Sequence, residues 1–240
     1  MLELKNVSYE VSDINDNKEI LKEISLSIDE RFVAITGPNG GGKSTLAKIV
    51  AGIIKPTSGK IFLDGEDITD LSITDRAKSG ISFAFQQPVR FKGITVKDLI
   101  RFAVGHDIST PEACAYLSEV GLCAKDYINR ELNASLSGGE AKRIEIAMTM
   151  ARGTSLSIFD EPEAGIDLWS FQSLIKVFEH LHEKAGGSII IISHQERILN
   201  IADKIIVLAD GQIKDIGTKD EVLPGLLMDG PACEKLTEKL

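Results

Sequence analysis

Residues 37–45 read GPNGGGKST, and what stands on either side of them decides the fold. Before them runs RFVAIT (31–36), an apolar string of strand length; after them comes TLAKIVAGI (45–53), with the composition and spacing of a helix. A strand, a glycine-rich turn and a helix in that order, with G-x-x-x-x-G-K-[ST] spanning Gly37 to Ser44, read as a phosphate loop. Gly37, Pro38, Asn39, Gly40, Gly41 and Gly42 let the backbone wrap an anion, with N–H groups and the helix N-terminus pointing inward. Lys43 then reaches the β- and γ-phosphates, and the Ser44 hydroxyl, with Thr45 beside it, is placed for Mg²⁺. A turn without a ligand would leave the position of the lysine unexplained.

Outward from this loop the chain reads as one α/β domain over residues 1–240. Hydrophobic residues make up 43% and charged residues 26% of the chain, the balance of an ordinary globular protein. Its longest apolar strings, such as SIIIIS (188–193), are too short to span a bilayer. The N-terminal MLELKNVSYE carries charges where a signal peptide needs an apolar stretch, so the expected location is cytoplasmic. Work at a membrane would go through a partner, without direct insertion. A net charge of −9 argues against nucleic-acid partners, which call for a basic face. Cys114, Cys123 and Cys233 share no metal-ligand spacing and read as reduced thiols. His180 and His182, two apart on an expected helix, do not share a face.

Strand signals dominate the N-terminal third: LELKNV (2–7), EILKEISLSI (19–28), then RFVAIT, with Ser12 to Lys18 expected as a polar loop. KPTSGKIFLDG (55–65) gives a turn and strand, and GISFAFQ (80–86) another buried strand. From Pro88 to Met150 helices take over, with TVKDLIRFAV and TPEACAYLSEVG starting at expected caps Thr95 and Thr110. Strands return in SLSIFDE (155–161), GSIIIIS (187–193) and DKIIVLADGQIKDIG (203–217), the first two separated by the amphipathic LWSFQSLIKVFEHLHEK (168–184). Alternation of strand and helix implies a mostly parallel, buried sheet. The expected division is a catalytic core of 1–87 and 151–240 with an inserted helical subdomain, 88–150.

Two further stretches carry chemistry. SIFDE ends an apolar strand in two carboxylates that can project over the sheet's carboxyl edge, where such folds bind ligands. Asp160 is then the Mg²⁺-side carboxylate and Glu161 the candidate base or water-positioner for attack on the γ-phosphate. LSGGEAKR (136–143) is a second anion-binding turn a hundred or so residues further on. Ser137 and Glu140 fit a capping box. Gly138 and Gly139 do not follow from a cap, since each costs a helix roughly 1 kcal/mol. They suit a place where something approaches the backbone closely. Lys142 and Arg143 follow as basic neighbours of the Glu140 carboxylate.

Phosphate loop, FAFQQ, LSGGE, FDEPEAGID and IISHQ succeed one another over nearly the whole chain, and in that order the sequence resembles the ATP-binding cassette (ABC) family of ATPases. The resemblance implies a P-loop NTPase fold of that type, with an antiparallel N-terminal β subdomain. It implies ATP hydrolysis with Mg²⁺ and an ATP-dependent head-to-tail homodimer. In such a dimer the Ser137–Gly138–Gly139–Glu140 turn of one subunit closes over the γ-phosphate held by the other, which is why one chain needs two turns. By the same resemblance Gln86 is the Q-loop glutamine sensing Mg²⁺ and water, His194 the switch histidine, and Asp167 a D-loop residue at the dimer interface. The sequence departs from the family at Val11, which stands where many members stack adenine on an aromatic, with Tyr9 two residues earlier.

Within the family, SGGEAKR, AFQQPVRFKGITV and SHQERILNIADKIIVLADGQI look like the SufC branch, soluble ATPases of iron–sulfur cluster assembly acting with a SufB/SufD-like scaffold. The alternative is the ATP-binding subunit of a membrane importer. A DNA-repair or chromosome-structure ATPase would need a long coiled coil, and the chain has no sustained heptads. In either remaining case the partner docks near the Q-loop, where Pro88, Val89 and Phe91 either receive it or pack locally.

Overall fold

RFVAIT becomes a central strand of a six-stranded sheet. The computed structural model describes residues 1–13, 16–132, 136–184 and 186–228, and Cys233 lies outside them. In chain order come β1 (Leu2–Asp13), β2 (Asp16–Ile28), β3 (Phe32–Thr36), α1 (Lys43–Val50), β4 (Ser58–Leu63), β5 (Glu66–Asp67), α2 (Ile73–Lys78) and β6 (Ile81–Ala84). Helices α3 (Val96–Val104), α4 (Thr110–Glu119), α5 (Ala124–Tyr127) and α6 (Gly138–Arg152) follow. The chain then returns through β7 (Leu156–Asp160), α7 (Leu168–Lys184), β8 (Ser188–Ile192), α8 (Glu196–Leu199), β9 (Lys204–Ala209), β10 (Gln212–Gly217) and α9 (Lys219–Met228).

The core sheet runs β10-β9-β3-β8-β7-β6, parallel from β9 to β6 with β10 antiparallel at its edge. A second, antiparallel sheet has the order β2-β1-β4-β5. All five residues of β3 are buried, which is why its sequence is apolar without alternation. Each residue still faces one side only. Phe32 and Ala34 join the core under helices α3 to α7, while Val33 and Ile35 join the core between the sheet, α1 and the N-terminal strands.

Three local expectations are corrected. Of the stretch expected as a loop from Ser12 to Lys18, residues 14 and 15 lie outside the described residues and the rest is paired strand, with Ser12 opposite Asn17 and Asp13 opposite Asp16. Backbone pairing sustains these strand ends, and polar composition does not report it. Thr95 caps α3 as expected, but α4 is capped by Ser109, whose side chain accepts from the Glu112 N–H while Glu112 accepts in return. Thr110 is the first helical residue. The run 203–217 is two strands, reversed at Asp210 (φ 53°) and Gly211 (φ 75°), the left-handed pair a tight hairpin needs.

Candidate functional site

The phosphate loop leaves the end of β3 and enters α1, whose N-cap, Gly42, offers no side chain to the first-turn amides. Those donors therefore point from an uncapped helix start, where an anion is favoured. Lys43 is buried, and its Nζ donates to the carbonyls of Gly37 (2.7 Å) and Pro38 (2.9 Å). Burial pushes its pKa down, against the opposing pull of Glu161 and Asp160. Gly37 is required by the fold: with φ 130°, a Cβ there would lie 2.1 Å from the Leu208 carbonyl oxygen of β9.

Across the loop, β7 delivers the two carboxylates. Asp160 is buried and accepts a hydrogen bond from the Ser44 hydroxyl at 2.8 Å. Burial raises its pKa, and the Ser44 bond works against that rise. Glu161 has φ 41°, and its N–H donates to the Ile192 carbonyl at 3.0 Å. This left-handed residue ends the strand's alternation, so neighbouring carboxylates turn into one site; such a conformation costs a non-glycine residue on the order of 1 kcal/mol. Gln86 Nε2 donates to Glu161 Oε2 at 2.6 Å, and His194 Nε2 lies 3.7 Å from Glu161 Oε1. Burial, then the charge of Lys43, push the His194 pKa below its ordinary value, so the imidazole is neutral at pH 7. Lys43, Ser44, Gln86, Asp160, Glu161 and His194 thus meet at one place. The donor set fits a hard divalent cation, since the Ser44 hydroxyl and Asp160 carboxylate bring two oxygens within 2.8 Å of each other.

The second turn is built differently. Ser137 and Glu140 form a complete capping box: Ser137 Oγ accepts from Glu140 N, and Glu140 Oε2 accepts from Ser137 N at 2.8 Å. Glu140 Oε1 also accepts from the Tyr127 hydroxyl at 2.5 Å, a partner that sequence spacing could not have offered. Gly139 owes its identity to a neighbour in the same chain: a Cβ there would lie 2.8 Å from Cβ and Oγ of Ser170 in α7. Gly138 is exposed and faces the Gly165 carbonyl. The basic residues do not attend Glu140. Lys142 turns inward, and Arg143 donates to the carbonyls of Gly139 and Gly121. Asp167 Oδ1 accepts from the N–H groups of Trp169 and Ser170, both at 3.0 Å, and so caps α7 directly beside the turn.

Close packing at Gly139 has a consequence. Gly139→Ala is expected to destabilise the fold by about 1–3 kcal/mol, because an added methyl must displace either α6 or α7. Denaturant unfolding measures it, and an unchanged midpoint would mean that Ser170 yields freely.

Sequence reading missed Glu163. It is largely buried, and Oε1 accepts from the Ser193 hydroxyl (2.5 Å) and the His194 N–H (3.4 Å). It ties the segment after β7 to the histidine's backbone. A carboxylate inside FDEPEAGID was its only signal. Val11, expected where many family members stack adenine, is exposed, while Tyr9 packs against the N-terminal core.

Residues 21–164, more than half of the chain, match the family model described as ABC transporter. The chain belongs to this family. It is an ABC-type ATPase domain, converting ATP and water to ADP and phosphate. An uncharacterized ABC transporter ATP-binding protein of Methanocaldococcus jannaschii is 40% identical over 215 residues, 86% of each chain. The spermidine/putrescine import ATP-binding protein PotA of Mesoplasma florum is 34% identical over 229 residues, 92% of this chain and 63% of that protein. Among solved structures, a dimeric ATP-binding cassette in a post-hydrolysis state bound to ADP and Pi superposes with a TM-score of 0.81. It is 26% identical and covers 91% of this chain and 99% of that one. No helix among the described residues is long and apolar enough to cross a membrane.

Proposed function

We propose that the ABC ATPase works in the cytoplasm as the ATP-driven motor of a SufB/SufD-like cluster-assembly scaffold, in the manner of SufC. Two copies pair head to tail on ATP. The uncapped start of α1 with Lys43 binds the phosphates, and Ser44 and Asp160, with Gln86 nearby, would hold Mg²⁺. That ion would neutralise charge on the phosphoryl oxygens. Glu161 orients and deprotonates the attacking water, Gln86 fixes the Glu161 carboxylate, and neutral His194 completes the ring of donors. Gly138 and Gly139, following the Ser137 cap, present the free amides of the second turn to the nucleotide of the other subunit. Asp167 keeps that interface in register through α7. The division of labour follows the chain: residues 1–87 and 151–240 hold the chain's own nucleotide, and 88–150 bring the second turn and, with Phe85 and Arg152, the surface that meets the partner.

The observation that carries the motor reading is the convergence of Gln86, Glu161 and His194 opposite the phosphate loop. What supports a partner is an apolar cavity of about 390 Å³ lined by Phe85, Val89, Phe91, Phe102, Met148 and Arg152. Phe102 is 61% and Val89 44% exposed at its rim, whereas Phe91 packs on the core. A partner segment covering such a rim removes apolar surface from water at roughly 25 cal/mol per Å². The scaffold branch is supported by the Glu-bearing signature, whose carboxylate has a dedicated partner in Tyr127. The importer reading is favoured by relatives such as PotA, and it uses the same groove.

Affinity purification of the tagged protein from its host separates the two. The expected result is a soluble complex whose scaffold raises the ATPase rate severalfold. Recovery only with membranes, together with a permease, would overturn the scaffold reading and install the importer.

A further inference from the structure

Lys142 and Glu145 stand one turn apart on α6 and are both buried, with side chains 1% and 10% exposed. No part of the ATP chemistry described above uses them. Lys142 Nζ donates to Glu145 Oε2 at 2.8 Å, to the Phe85 carbonyl, and more weakly to the Gln86 carbonyl at 3.4 Å. Glu145 Oε1 accepts from the Phe85 N–H at 3.2 Å. The pair therefore holds both polar groups of the Phe85 backbone and reaches the peptide that follows. Gln86 is the residue whose amide donates to Glu161.

A buried ion pair is a poor way to stabilise a fold. Two desolvated charges cost about as much as their attraction returns, and apolar side chains of the same volume commonly do as well or better. Its value must lie in geometry. Here the geometry is a tether between the helix that begins with the signature turn and the backbone that carries Gln86.

We propose that Lys142 and Glu145 are positioning residues for ATP hydrolysis, fixing the Phe85–Gln86 backbone to α6 and so aiming the Gln86 amide at Glu161. Any rotation of α6 as a rigid helix carries the Gln86 backbone with it. The turn that meets one nucleotide is thereby linked to the glutamine that serves the chain's own. The assignment rests on the roles given to Gln86 and Glu161 above, and is indifferent to whether the partner is a scaffold or a permease.

The test replaces the pair by apolar residues, Lys142→Met with Glu145→Leu, and measures the thermal midpoint, ATP affinity and kcat. A merely structural pair, exchanged for apolar packing, gives back stability and rate together. A positioning pair gives a midpoint and an ATP Kd close to those of the original protein, with kcat lowered on the order of tenfold. Repeating the exchange in a Gln86→Ala background should lower kcat no further, because the tether then has nothing to aim. Restored stability with kcat within twofold of the original, or equal losses in the two backgrounds, overturns the assignment. Should the apolar pair not fold, Glu145→Gln takes its place. It keeps an acceptor for the Phe85 N–H and weakens the hold on Lys142. A loss of a few fold is expected with Gln86 present and none with Gln86→Ala, and equal losses overturn the assignment. A Gln86→Ala variant with full kcat would remove the Gln86 role and the assignment together, leaving the scaffold reading standing.

Discussion

Glu161→Gln is expected to stop steady-state hydrolysis, lowering kcat by about 10²–10⁴-fold, while ATP still binds. Two groups at the site could take a proton from water. Glu161 is a carboxylate held at 2.6 Å by Gln86, and His194 is an imidazole whose pKa burial depresses, leaving it neutral at pH 7. The glutamine substitution removes the base and keeps the shape. It can still accept from Gln86, and the left-handed backbone at this position is no worse for it than for glutamate. Binding groups on the phosphate loop are untouched. If Glu161 handles the water, ATP is held unhydrolysed and the head-to-tail dimer accumulates, which sedimentation in the presence of ATP detects. If His194 is the base, turnover survives Glu161→Gln within about tenfold and falls with His194→Ala instead.

Much of this site was legible in the sequence, for reasons that differ from residue to residue. Lys43 and Ser44 sit at fixed offsets from glycines whose positions the backbone dictates, so strand, loop and helix could be read together. Asp160 was visible as the end of an apolar strand. Gln86 and His194 were not: each is a single polar residue at a strand end, given meaning only by resemblance to a family. For LSGGE, the close approach that Gly139 permits includes Ser170 of the same chain, a neighbour the sequence could not name. Glu145, Tyr127 and Glu163 escaped altogether, and Lys142 was read only as a basic neighbour of Glu140, because, apart from the Lys142–Glu145 pair itself, the bonds that fix them reach 60, 13, 30 and 57 positions along the chain. Charge on a helix reads as solvated until the fold supplies such a partner. The same blindness explains the pairing of Ser12 with Asn17 and Asp13 with Asp16, where backbone bonds and not side-chain pattern make the strand.

Lys43→Ala is expected to act on binding where Glu161→Gln acts on chemistry. The ammonium donates to the Gly37 and Pro38 carbonyls at 2.7 and 2.9 Å, within the loop that would cradle a triphosphate. Charged hydrogen bonds are worth about 1.5–3 kcal/mol each, so losing the lysine should raise the Kd for ATP by roughly 10–100-fold. Stability without nucleotide should change little. The substitution strands two carbonyls, but it also removes a buried cation whose depressed pKa records the cost of desolvation. Thermal unfolding with and without ATP separates these effects. A ligand that binds only the folded state stabilises it by RT ln(1 + [L]/Kd), so the ATP-induced rise in midpoint should nearly vanish in Lys43→Ala and persist in Glu161→Gln. Persistence of that rise in Lys43→Ala at ATP near the original Kd would show that the α1 amides bind the phosphates unaided, and would leave Lys43 a role in hydrolysis alone.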